Sequence, residues 1–170
     1  MREKIMDHKI FWNIMKETKQ KSSGDVKHQV VLIEAYLWNF SLAEIEIFYR
    51  IYLAFRILAS DEKLEMEIGQ LMGFSDDSFD YFKAWLIAQG EDIFHKVVKD
   101  PTQLQNFLRG NCQLEELNYV PYNVYEAKLG RDWLDIPGKG DSEPYDITGY
   151  ELLYLDDDEN EQSEEEMRLH

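Results

Sequence analysis

The chain has few residues that could cross-link it and no long apolar run. Cys112 is its only cysteine, so an intramolecular disulfide and a four-thiolate zinc site are both excluded. No window approaches the ~18 apolar residues that a membrane-spanning helix needs. The first residues, MREKIMDHKIFW, lack the uninterrupted apolar core of a secretory signal. These absences predict a protein of a reducing compartment, and the expected location is the cytoplasm.

Positive charge is also scarce. The chain holds 18 Lys and Arg against 34 Asp and Glu, which gives a formal net charge of −16. Half of this excess lies in the segment 156–166, which has eight acids and no base. Such a field repels phosphate backbones and anionic lipid. The sequence therefore predicts no binding to nucleic acid or to a membrane, and it favours a basic protein as the partner.

What the chain does have is enough apolar material for a core. Hydrophobic residues make up 44% of its 170 residues and aromatic residues 14%, which suits one domain. Apolar spacing and capping residues predict an all-α array of six to eight helices in residues 1–155, followed by a disordered acidic tail in residues 156–170. The expected starts are Asp7, Asp25, Ser41, Ser60–Asp61, Ser75, Glu91, Asp100–Pro101 and Pro121, and Tyr150–Leu155 is expected to form an extended strap.

The helix after Ser75 carries the most distinctive local pattern. Its spacing turns Phe79, Phe82, Trp85 and Leu86 inward, and it places Asp76, Asp80 and Lys83 on a face expected to be solvated.

Ser75, Asp76 and Asp77 at the start of that helix have two readings. In one, the serine side chain caps the helix and the two acids lie at the positive end of its dipole. In the other, the carboxylate pair binds a cation or orients a substrate amine. The sequence leaves both readings open.

The segment from Phe74 to Gly90, FSDDSFDYFKAWLIAQG, resembles the signature of a bacterial family known as domain of unknown function 4240. The shared features are a Ser-Asp-Asp turn, a Phe-x-x-Phe helix and a Trp-Leu-Ile-x-x-Gly end. Phe11–Trp12, Ser41–Phe48, Asp100–Pro101 and Glu115–Tyr125 are weaker matches, so the resemblance covers about residues 8–130.

This resemblance implies a helical fold and supplies no activity. The family usually has a helix rich in Trp and Ala and a Gly-Gly pair before the Ser-Asp-Asp turn. Here Leu64–Phe74 contains no Trp or Ala, and its glycines are not adjacent. A pocket shaped by the missing residues would be lost or altered in this chain.

Other reactive residues predict no chemistry. The four histidines have no metal-binding spacing, and Cys112 has no evident base to activate it. We therefore predict no catalytic residue, no metal site and no cofactor. The four tryptophans, Trp12, Trp38, Trp85 and Trp133, are expected to serve packing, with a pocket lining as the alternative.

Two functions remain. The first is a non-enzymatic protein-binding module whose acidic surface engages a basic partner, as immunity proteins and nuclease inhibitors do. Its expected aromatic anchors are Tyr119, Tyr122 and Tyr125, which flank the break at Pro121. The alternative is a small enzyme or ligand-binding domain with a pocket in the segment from Ser75 to Trp85. A deep pocket with convergent polar groups would favour the second function.

Overall fold

Helices account for the regular structure of the described residues. A computed structural model describes residues 5–73, 75–130 and 143–148. Within these ranges there are seven α-helices, two short 3₁₀ helices and no strand, which confirms the predicted all-α array. The α-helices are α1 (His8–Lys21), α2 (Val26–Leu37), α3 (Leu42–Leu58), α4 (Glu62–Met72), α5 (Asp76–Ala88), α6 (Glu91–Lys99) and α7 (Val120–Leu129), and the 3₁₀ helices are η1 (Pro101–Asn106) and η2 (Glu115–Asn118).

Short polar side chains start the first four α-helices, as predicted. The carboxylates of Asp7, Asp25 and Asp61 each accept a hydrogen bond from a backbone N–H in the turn that follows. Ser41 and Glu44 form a full capping box, in which each residue's side chain accepts from the backbone N–H of the other, at 3.2 and 2.9 Å. Because the first N–H groups of a helix have no partner within it, each such cap stabilises its helix by about 1 kcal/mol.

Two glycines separate the helices around α5. Gly73 ends α4 with φ +64°, and Gly90 joins α5 to α6 with φ +102°. Residues with a Cβ rarely adopt these angles. The breaks that the sequence predicts at these two positions are therefore confirmed.

The segment after Asp100 departs from the expected α-helix. It forms the six-residue 3₁₀ helix η1 and then a loop. The Asp100 carboxylate accepts from both the backbone N–H and the hydroxyl of Thr102, at 3.1 and 2.6 Å, and bonds of this kind compete with α-helical ones. The chain must then turn back to α5, where the backbone N–H of Leu114 donates to the carbonyl of Tyr81 at 3.0 Å.

The centre of the core is α3. Phe55, in its last turns, is fully buried. Its ring centroid lies 4.6 Å from that of Trp12 and 5.5 Å from that of Phe94. This aromatic cluster joins α1, α3 and α6, and offset and edge contacts of this type stabilise a core beyond the area they bury.

The inward face predicted for α5 is confirmed, since Phe79, Phe82, Trp85 and Leu86 are all buried. The prediction that Lys83 lies on a solvated side is wrong, because the residue is only 8% exposed. A charge can be buried at this position because partners surround it, and they are described below.

A buried amide ties three helices together. Gln29 of α2 is fully buried, and its side-chain N–H groups donate to the carbonyl of Ala88 at 2.8 Å and to that of Met15 at 3.3 Å. Ala88 closes α5 and Met15 lies within α1. A polar link of this kind fixes how α1, α2 and α5 are placed relative to one another.

Some predictions fall outside the described residues. These are the strap at Tyr150–Leu155 and the acidic tail from Asp156 onward. In the part of the chain that is described, no helix combines the length and the apolar character that a membrane span requires.

Candidate functional site

The Ser-Asp-Asp turn lies exposed at the start of α5. Ser75 occupies the N-cap position, but its side chain makes no bond to the helix backbone and instead pairs with the hydroxyl of Ser78 at 3.2 Å. The predicted side-chain cap is therefore wrong. Asp76 and Asp77 lie in the first turn, where the helix dipole favours their charge, and both carboxylates face solvent. No cluster of metal-ligating side chains occurs among the described residues.

The three predicted tyrosine anchors lie in different surroundings. Tyr119 is 51% exposed, whereas Tyr125 is buried in the core. Tyr122 is half-buried, and its hydroxyl is hydrogen-bonded to that of Tyr49 on α3. Of the three, Tyr119 is therefore the most accessible to a partner, with about half of its surface exposed. The sequence could not separate the three, because their burial depends on how α7 packs against α3.

Tyr81 lies near the predicted residues Asp77 and Tyr119, although the sequence pattern did not predict it as a site residue. The hydroxyl of Tyr119 donates to Glu115 Oε1 at 3.3 Å. Partial burial, the Glu115 carboxylate and the Asp77 charge together raise the pKa of Tyr81. The charges of Asp77 and Glu115 thus both act on one phenol. We call Asp77, Tyr81, Glu115, Glu116 and Tyr119 the acidic face.

Local folding explains why the acidic face assembles. The bond from Leu114 N–H to Tyr81 O fastens the start of η2 to α5, and Glu115 and Glu116 follow directly. Tyr81 is half-buried on α5, one turn after Asp77 and one turn before Trp85. Its place between two inward phenylalanines and four positions after Asp77 is the sequence signal that could have identified it.

Chemically, the acidic face is suited to cations. Its carboxylates accept hydrogen bonds from ammonium and guanidinium groups. Its two tyrosine rings offer faces over which a cation can lie. The same groups could bind an arginine or lysine side chain from another protein.

A second polar cluster serves the fold. Asp80 Oδ1 lies 3.0 Å from Lys83 Nζ and 3.2 Å from Arg56 of α3, and Lys83 also donates to Ser60 Oγ at 3.0 Å. Burial alone would raise the pKa of Asp80, but the hydrogen bond and charge of Lys83 and the charge of Arg56 outweigh it, so the pKa lies below its ordinary value. This cluster fastens α5 to the end of α3.

The surroundings of Cys112 indicate a structural role for this residue. Its side chain is 1% exposed, and its sulfur lies 3.5 Å from the carbonyl oxygen of Arg109. Burial raises the pKa of the thiol, which opposes the thiolate form that a nucleophile requires.

A cleft of about 810 Å³ lies beside the acidic face. Tyr81, Glu115 and Glu116 form part of its wall, and Trp85 lies along it. The sequence predicted a pocket near the Ser75–Trp85 segment. This cleft lies at the Trp85 end of that segment and not at its Ser75 end. Of the other tryptophans, Trp12 is buried, Trp38 is 46% exposed, and Trp133 lies outside the described residues.

Comparison with known proteins places the chain in a family. The family model of DUF4240, whose description is a protein of unknown function, matches residues 6–127. That range begins just before α1 and ends within α7, so it includes α5 and the acidic face. No curated protein and no solved structure matches the chain. Because the family model covers well over half of the sequence, the chain belongs to the DUF4240 family.

Proposed function

We propose that this protein is a non-enzymatic binding module that engages a basic protein through its acidic face. The observation that supports this proposal is the convergence of Asp77 and Glu115 on Tyr81, next to the exposed ring of Tyr119. Carboxylates with aromatic anchors between them match the composition of protein-binding hot spots for basic partners.

The charge of the segment that leads to Asp77 supports the same function. Residues 61–80 hold seven acids and one base. Within this stretch α4 leaves Met66 65% exposed, and Leu71 and Met72 are exposed as well. Exposed Met side chains adapt to varied partner surfaces and are enriched in interfaces. The acid-rich stretch thus adds apolar contact area to the attraction that charge provides.

Recognition would proceed in two stages. The excess of acids attracts a basic protein over a distance that salt shortens. Once the partner is near, its lysine or arginine side chains pair with Asp77 and Glu115. The ring of Tyr119 packs against the same side chains. Immunity proteins and nuclease inhibitors use this kind of charge complementarity, and the cytoplasm is the setting in which we place it.

The test compares two variants of equal design. In Asp77→Lys with Glu115→Lys, the acidic face reverses its charge. In Glu34→Lys with Glu126→Lys, the same change is made at exposed or half-exposed positions on α2 and α7. Each tagged full chain is used to capture proteins from the cells that make it, across a series of salt concentrations.

The proposal expects a partner with a pI above neutrality that is captured at low salt and released at high salt. The partner should stay with the α2 and α7 variant and be lost from the acidic-face variant. Circular dichroism should give the same helical spectrum for both variants. A partner held equally by the two variants, or no basic partner at any salt concentration, would contradict the proposal.

A further inference from the structure

The cleft beside the acidic face is built from five separate segments of the chain. They are α1, the turn into α2, α5, α6 and the loop 106–116. Trp85, Phe107 and Ile93 provide apolar wall, and Asn111 and Gln113 add amide groups. A concave site with a partly apolar wall and a few convergent polar groups is the usual form of a small-molecule site.

Three cations line this cleft in a protein that is acidic overall: Lys19, Lys27 and Arg109. Lys27 and Arg109 are exposed, and Lys19 is half-buried with its Nζ donating to the carbonyl of Gln89 at 3.1 Å. None of the three forms an ion pair with a carboxylate among residues 5–73, 75–130 and 143–148. Burial, together with the charge of Arg109, lowers the pKa of Lys19.

Three carboxylates, those of Asp25, Glu115 and Glu116, line the same cleft, and two of them accept hydrogen bonds from neutral groups. Asp25 Oδ1 accepts from the backbone N–H groups of Lys27 and His28, at 3.1 and 3.2 Å, and so serves as the cap of α2. Glu115 accepts from the hydroxyl of Tyr119. Among the described residues, none of these carboxylates forms an ion pair with the cations of the cleft, and Lys19 and Arg109 are close enough to repel each other.

The positive side continues beyond Lys19. A second cleft of about 830 Å³ shares Lys19, Gly24, Gln89 and Ile93 with the first. Lys9 and Lys16 of α1 line it as well, together with Glu91 and Asp92 of α6. With four lysines and one glutamate, α1 is the most basic helix of the described part of the chain.

We propose that the cleft binds a small organic anion, with Arg109 and Lys27 holding its charged group and with Trp85 and Phe107 against its apolar part. The two cations of this ligand site are not part of the acidic face and have the opposite charge, although Tyr81, Glu115 and Glu116 belong to both surfaces. A carboxylate and a phosphate monoester share the chemistry that these two cations recognise.

The test uses three small aromatic probes on the full chain. Phenyl phosphate and phenylacetate carry the two candidate charged groups, and benzylamine carries the opposite charge. Each is titrated while ¹H–¹⁵N correlation spectra are recorded at constant ionic strength. We expect saturable shifts from phenyl phosphate or phenylacetate at backbone amides of residues 106–116 and Gln89, and the tighter of the two identifies the charged group of the natural ligand.

Matched variants assign the site. Arg109→Ala with Lys27→Ala should weaken the binding of the tighter probe by about tenfold or more, since each removes a charge-assisted contact. Lys63→Ala removes one exposed cation from α4, away from the cleft, and should leave binding unchanged. The proposal is overturned if neither anion binds saturably, if benzylamine shifts the same amides equally, or if the two sets of variants weaken binding alike. Binding does not depend on any partner protein, so this result and the capture result can fail separately.

Discussion

The carboxylate of Asp80 serves two cations at once, one on its own helix and one on α3. Lys83 is mostly buried, whereas half of the Asp80 side chain faces water. If Asp80 loses its charge, Lys83 keeps a buried ammonium group with the Ser60 hydroxyl as its remaining hydrogen-bond partner among the described residues. A buried charge that loses its counter-charge is more costly than the loss of a surface pair.

We therefore expect Asp80→Asn to lower the free energy of unfolding by about 1–2 kcal/mol at neutral pH, discounted for the exposure of Asp80. The folded pKa lies below the ordinary 3.8, so the stabilisation is present above that pH and is lost as pH falls through the folded pKa. Urea denaturation at pH 7 and pH 3 measures the difference between wild type and variant. An undiminished difference at the lower pH would contradict the assigned ion pair.

Two tryptophans provide a matched test of burial. Trp85 is 3% exposed and Trp38 is 46% exposed. We expect Trp85→Ala to destabilise the fold by about 3–5 kcal/mol because it leaves a cavity between α5 and the core, and Trp38→Ala to cost about 1 kcal/mol or less. Denaturation midpoints at equal slope measure both. Equal losses would mean that the inward face of α5 is wrongly assigned.

At the scale of the helices, two serines at N-cap positions are expected to differ. Ser41 accepts from the N–H of Glu44 in a capping box, whereas Ser75 bonds only to the hydroxyl of Ser78. Ser41→Ala should therefore cost about 1 kcal/mol, and Ser75→Ala only a few tenths. Chemical denaturation of the two variants measures this difference. The opposite order would show that Ser75 caps α5 in solution.

The same contrast explains how much of the fold the sequence could predict. Caps at Asp7, Asp25 and Asp61 depend on residues within one turn, so a local pattern is enough to find them. A local pattern could not predict the burial of Lys83 or Tyr122. Their side chains contact Ser60 and Tyr49 on other elements, and sequence spacing along one helix does not reveal such pairs.

The sequence predicted only some of the residues of the candidate site. It identified Asp77 and Tyr119, which are 42 positions apart, but not that Tyr81 and Glu115 bring them together. The cations of the cleft were also missed. Lys19 and Arg109 meet only after η1 and the loop behind it fold back on α5, and the sequence predicted an α-helix at the start of that segment.

For the whole molecule, charge is both unbalanced and unevenly distributed. The net charge is −16, yet α1 has four lysines and one glutamate while residues 61–80 have seven acids and one base. Like charges in excess repel one another in the compact state more than in the unfolded chain.

Added salt should therefore stabilise the fold. We expect the melting temperature to rise by about 2–5 °C between about 20 and 300 mM sodium chloride at constant pH, because screening weakens the repulsion among acids. Differential scanning calorimetry measures the change, with sucrose at matched osmolality as the control for general solute effects. A falling melting temperature would show that ion pairs, and not repulsion, dominate the electrostatics.

Because Cys112 is the only thiol of the chain and is buried in the loop that walls the cleft, its alkylation measures how often that loop opens. Neutral iodoacetamide can react only in the open state, so the labelling rate reports the local opening equilibrium when closing is fast. An anion seated between Lys27 and Arg109 holds the loop against α2 and makes labelling slower. The alkylation rate of this one cysteine therefore reports how much of the site is occupied. The ligand itself needs no spectroscopic signal.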